Sequence, residues 1–81
     1  MRLKEKVALI TGAASGIGKS TALLFGQEGA KVMCVDINGE GADQVAHQIA
    51  DTGGEAASLT VDVAQEEDVQ RMVRETVERW G

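Results

Sequence analysis

Short apolar runs alternate with stretches of helical periodicity along this chain, and that alternation constrains the fold more than any other feature. Val7-Ala8-Leu9-Ile10 and Val32-Met33-Cys34-Val35 are unbroken apolar runs, the pattern of strands buried on both faces. Residues 56–61 make a third strand, which ends at Asp62. Between them lie helical patterns. Over 15–28, Ile17, Thr21 and Phe25 fall four apart with Ala22 beside them, predicting one inward stripe. Gly26 interrupts that helix at a cost of ~1 kcal/mol relative to alanine, with no rationale visible in the sequence, and Gly29 is placed to terminate it. Over 40–52, Ala42, Val45, Ala46, Ile49 and Ala50 share a face, and Gly53-Gly54 stops the helix. Over 65–80, Val69, Met72, Val73, Thr76, Val77 and Trp80 keep the i, i+3, i+4 rhythm. Glu66, Glu67 and Asp68 crowd the start of this last helix and Arg71, Arg74 and Arg79 follow, an order that complements the helix dipole. Glu67–Arg71 and Glu75–Arg79 are expected i, i+4 pairs.

Strands alternating with helices imply parallel strands joined by right-handed crossovers. The expectation is half of a doubly wound α/β fold, with three strands in the order 3-2-1, three helices, and a further strand beside the first. The sequence reaches Gly81 where that strand would begin. The 81 residues are therefore expected to be a fragment of a longer enzyme or a partial gene product, with an uncovered edge on the first strand.

Composition narrows the function classes. Eighty-one residues hold one small domain at most. With 8 basic against 13 acidic residues the net charge is −5, which disfavours nucleic acid and anionic membranes as partners. No apolar run approaches the ~18 residues of a membrane span. Residues 1–10 mimic a secretion signal, but the apolar run is far shorter than the about 7–15 residues such a signal needs. The single cysteine, Cys34, cannot close an internal disulfide, so a reducing, cytoplasmic setting is expected.

The chemistry lies in Thr11-Gly12-Ala13-Ala14-Ser15-Gly16-Ile17-Gly18, between the first strand and the first helix. Amides at such a junction point outward and the helix dipole favours negative charge, so the amides between 12 and 18 are expected to seat a pyrophosphate. Gly12 permits the tight turn, Gly16 lets the backbone approach the ligand, and Gly18 lets helix and strand pack closely. The bland alternative is an ordinary glycine-rich turn. The G-x-G-x-x-G fingerprint fails because position 21 is Thr21. The phosphate loop of nucleotide triphosphatases fails more narrowly: Gly18-Lys19-Ser20 supplies its ending, but Ala13 stands where its first glycine belongs.

The pattern that does match is T-G-x-x-x-G-x-G. With the opening at 6–12, the Glu28-Gly29-Ala30-Lys31-Val32 approach to the second strand, Asp36 and Asp62-Val63, the whole chain resembles the short-chain dehydrogenase/reductase family. The resemblance implies a Rossmann NAD(P)-binding fold and hydride transfer between the cofactor and an alcohol or carbonyl substrate.

Asp36 follows Gly12 by 24 residues, near the ~20 expected for the carboxylate that accepts from the adenosine ribose hydroxyls. It would also repel a 2′-phosphate. Ser15 and Ile37 stand where NADP-preferring family members commonly carry Arg or Lys, so NAD is expected over NADP. The alternative for Asp36 is a solvated strand-end carboxylate. By the resemblance, Asp62 accepts from the adenine amino group, the Val63 N–H donates to the ring, and Ile37 packs on the adenine face. Ser15 would bond the ribose or a phosphate, and the Ile17 and Gly18 backbone would approach the pyrophosphate. The alternative for Asp62 is a cap on the last helix.

Other chemistry-bearing residues read as structural. His47 shares the polar side of the second helix with Asp43 and Asp51, Cys34 is a small hydrophobe in a buried strand, and residues 65–68 are a solvated helix start. No His/Cys cluster has metal-ligand spacing. The family's Ser, Tyr and Lys cannot be assigned here, since the chain has no tyrosine. The 81 residues alone are expected to be inactive, with substrate contacts and the homotetramer common among full-length relatives lying elsewhere. A non-catalytic nucleotide-binding module is the second reading, and a phosphate-loop enzyme the third.

Overall fold

The computed structural model describes residues 3–81. Met1 and Arg2, which enter the signal-like reading, lie outside them. The elements follow the order β1 (Val7–Thr11), α1 (Gly16–Gln27), β2 (Lys31–Asp36), α2 (Gly39–Asp51), β3 (Glu55–Thr60) and α3 (Glu66–Trp80). The three strands form one parallel sheet in the order β1-β2-β3, which is the expected 3-2-1 read from the other edge. The register pairs Val7 with Lys31 and Thr11 with Val35, then Lys31 with Glu55 and Asp36 with Thr60.

Strand alternation divides the core into two layers. Val32 and Cys34 face α1 and α2, where they meet Ala22, Ala42, Val45, Ala46 and Ile49. Met33 and Val35 face α3 and pack with Val61 and Met72, flanked by Leu9, Leu59, Val69 and Trp80. Two successive right-handed crossovers put α1 and α2 on one face, and α3 lies on the other. β2 is the central strand, and Val32, Met33, Cys34 and Val35 are all buried.

Small residues on the two-helix face let α1 and α2 approach closely. A Cβ on Gly26 would lie 2.7 Å from Ile49 Cγ2, which accounts for a glycine that costs the helix stability on its own. α1 ends as expected at Gly29 (φ 95°), where the Gly29 and Ala30 N–H groups donate to Gly26 and Phe25 C=O in a Schellman arrangement.

Four expectations are corrected. Ile17 does not join the inward stripe: it is 87% exposed, because the first turn of α1 rises past the strand ends and has no sheet beneath it. The buried positions of α1 are Ala22 and Gly26. Ala50 is exposed, one residue too far round α2 from the face carried by Val45, Ala46 and Ile49. On α3 only Met72 and Thr76 are buried, while Val73 and Val77 are 49% and 56% exposed, on the flank that no strand covers. The expected ion pairs are also exchanged: Arg71 meets Asp68 (3.9 Å) and Glu75 (3.2 Å), and the Arg79 guanidinium lies 5.6 Å from the centre of the Trp80 ring.

Candidate functional site

The glycine segment crosses the carboxyl ends of the strands, where ligands bind in open α/β sheets. Gly12 has φ 67° and Gly16 φ 58°, a region that L side chains rarely adopt, and a Cβ on either would meet nothing within 4 Å. Gly18 differs: a Cβ there would run into the Gly12 carbonyl, so its absence lets α1 dock on the turn. The bend is not plugged by its own side chains. Ser15 is the N-cap of α1 by backbone position, yet its hydroxyl makes no capping bond. The first intrahelical bond is Lys19 N–H to Ser15 C=O (3.3 Å), so the amides of Gly16, Ile17 and Gly18 stand ahead of it. Two amides expected in the seat are committed elsewhere. Ala13 N–H donates to Val35 C=O (3.0 Å) and Ala14 N–H to Asp36 Oδ2 (3.0 Å). The amides of Ala13 and Ala14 are therefore not available to a ligand, whereas those at 16–18 are.

Asp36 ends β2 and turns toward the glycine segment. Oδ2 accepts from Ala14 N–H, and Oδ1 accepts from Asn38 N–H (2.9 Å). The Asn38 and Ala14 amides together hold its carboxyl below the usual carboxylate range, so it is anionic at neutral pH. Asn38 in turn caps α2, its Oδ1 accepting from Gly41 N–H (3.1 Å). One chain of polar contacts thus runs from the glycine turn through Asp36 to the start of α2.

Beside Asp36 opens a cleft of about 380 Å³, lined by Thr11, Gly12, Val35, Asp36, Ile37, Val61, Asp62 and Val63. Five of the residues singled out from sequence meet here: Gly12, Asp36, Ile37, Asp62 and Val63. Ser15, Gly16, Ile17 and Gly18 are not in its wall; they lie along the N-terminus of α1. Ile37 and Val63 are largely exposed apolar surface. Asp62 is not the N-cap of α3, a position held by Gln65. Its Oδ1 accepts from Ala64 N–H (3.0 Å) in a local turn, and its own N–H donates to Asp68 Oδ2 (2.9 Å). Asp68 and Arg71, not singled out as site residues from the sequence, contact the backbone on either side of residue 61. Their charges read there as helix-dipole complement, and only the observed bonds reveal the contact.

The remaining residues behave as structural. Cys34 is fully buried, and burial pushes its thiol up to about 11. His47 is exposed, 3.7 Å from Asp43. Among the described residues no group of three or more His, Cys, Asp or Glu could hold a metal ion, and no helix is long and apolar enough to cross a membrane.

A dinucleotide fits this arrangement in kind. Open amides at a helix start suit a pyrophosphate, an anchored carboxylate suits a sugar diol, and a mainly apolar cleft suits a base. Comparisons with known proteins agree. The model of a family described as short chain dehydrogenase matches residues 6–81. Cyclohexanol dehydrogenase from Acinetobacter sp. (strain SE19) is 48% identical over 80 residues, covering 99% of this chain and 32% of that protein. Hydroxysteroid dehydrogenase from Escherichia coli superposes with a TM-score of 0.96 at 36% identity, over 99% of this chain and 34% of its own. A 7α-hydroxysteroid dehydrogenase solved with NADH and 7-oxo glycochenodeoxycholic acid also reaches 0.96 at 36% identity, over 99% of this chain and 31% of its own. The chain spans about a third of the length of these proteins. With its family model matched from residue 6 to residue 81 and its sheet superposing on theirs, this chain belongs to the short chain dehydrogenase family.

Proposed function

We propose that residues 1–81 form the NAD-binding part of a dinucleotide-binding domain, in an oxidoreductase that moves hydride between NAD(H) and an alcohol or carbonyl group. One observation carries the reading. The cleft holds an anionic carboxylate, Asp36, pinned at its mouth, and among the described residues no lysine or arginine lines the wall. Each Asp36 oxygen accepts one backbone N–H and retains lone-pair capacity for a ribose hydroxyl. A 2′-phosphate would bring like charge against it with nothing basic to offset it. Asp62 and Val63 then face the adenine across from Ile37, and the 16–18 amides with the Ser15 hydroxyl take the diphosphate. The nicotinamide, when bound, supplies the hydride acceptor or donor, and no side chain of these 81 residues is assigned a step in that chemistry. The lone buried thiol of Cys34 supports a reducing, cytoplasmic setting. Kinship supports assembly into a homo-oligomer.

The test is the ratio of NAD to NADP affinity in the full-length protein, before and after Asp36→Ala. Wild type favours NAD by about tenfold or more, the worth of one charge-assisted hydrogen bond. The variant loses most of that ratio, because NAD loses its ribose acceptor while the repulsion of the 2′-phosphate is relieved. An unchanged ratio removes Asp36 from this role.

A further inference from the structure

β3 is an outer strand of the sheet, so one side of its backbone has no strand partner. At its carboxyl end Val61 N–H donates to Asp36 C=O (3.1 Å), which turns residue 61 toward β2. The two-residue alternation of a strand then turns the backbone groups of 60 and 62 to the open side. Both are met there by side chains of α3. Arg71 Nη2 donates to Thr60 C=O (2.7 Å), and Asp68 Oδ2 accepts from Asp62 N–H (2.9 Å). The two lie three apart on one helical face, 3.9 Å from each other, and Glu75 steadies the guanidinium from the next turn at 3.2 Å. An acceptor and a donor, spaced to match a carbonyl and an amide two residues apart, do for this segment what a neighbouring strand would do. They act where the chain leaves the sheet to carry Asp62 and Val63 into the cleft wall.

We propose that Asp68 and Arg71 are positioning residues for the adenine end of the cofactor site: by binding the backbone at 60 and 62 they aim the Asp62 carboxylate and the Val63 amide at the base. This rests on the cofactor reading above and extends it to two residues that touch no cofactor. The side chains act on the direction in which the turn is presented, so their loss shows first in how well the site tells one base from another.

The experiment compares NAD with nicotinamide hypoxanthine dinucleotide, which replaces the adenine amino group by a carbonyl, using affinities measured in the full-length protein together with thermal stability. Wild type and Asp62→Ala set the scale: wild type favours NAD by about tenfold, and Asp62→Ala brings the ratio close to one. Asp68→Ala and Arg71→Met are expected to lower the ratio at least threefold. Asp68→Asn, whose amide oxygen can still accept from Asp62 N–H, keeps the wild-type ratio and serves if the alanine variant does not fold. Variants that melt earlier but keep the full ratio overturn the proposal and leave Asp68 and Arg71 as stabilisers only, as does an Asp68→Asn that loses the ratio as fully as Asp62→Ala. A wild type that does not discriminate removes both this proposal and the adenine assignment beneath it, whereas a ratio that responds to Asp62→Ala and not to Asp68→Ala sinks this proposal alone.

Discussion

Asp36 is held by two backbone amides and is also the residue proposed to take the ribose. Its position after the second apolar run was readable as a ribose acceptor, but its bonds to the Ala14 and Asn38 amides were not, because they depend on how the turn folds back over the strand end. These bonds lower its folded-state pKa, with a predictable sign. The stabilisation is fully present above the unfolded carboxylate value of about 3.9 and is lost as pH falls through the lower folded value. Asp36→Asn should therefore flatten the acid limb of the stability curve, measured by urea unfolding between about pH 5 and 2. An acid limb as steep as wild type would show that the amides hold no charge there. Cys34 makes the opposite case. Fully buried, with its thiol pushed up to about 11, it should resist a disulfide reagent at pH 8 in the folded protein and react at once in denaturant. Rapid labelling of the native state would contradict its burial.

At the scale of elements, the apolar runs and helical rhythms gave all six segments to within a residue or two of their observed ends. The errors share a cause. Ile17 and Val73 obey helical periodicity, but periodicity does not say whether a neighbour lies under that part of the face. Gly26 shows the converse, a residue that looks wrong within its helix and right against the next one. Gly26→Ala should gain ~1 kcal/mol of helix propensity and lose about 1–3 kcal/mol to overpacking against Ile49, a net loss. Combining it with Ile49→Val should recover part of the loss, since the nearest clashing carbon, Cγ2, has more room to move when the longer branch is trimmed. Additive effects in that double-mutant cycle would mean that α1 and α2 do not meet at this point. The Asp68 and Arg71 contacts were beyond sequence reasoning, because charges near a helix start have a sufficient explanation in the dipole.

Across the whole molecule, α3 spans β3 from end to end. Arg71 and Asp68 hold its carboxyl terminus, and Trp80 Nε1 donates to Glu55 Oε2 (2.8 Å) at its amino terminus. The site thus inherits its geometry from the sheet on one side and from a single helix on the other. The tether at both ends also has a colloidal consequence. A foreign extended peptide trying to lengthen the sheet alongside β3 would have to evict a guanidinium and a carboxylate at one end and dislodge an indole-bound glutamate at the other. This edge of the sheet is thereby guarded against fibril-like growth by the helix that also contacts the cleft wall.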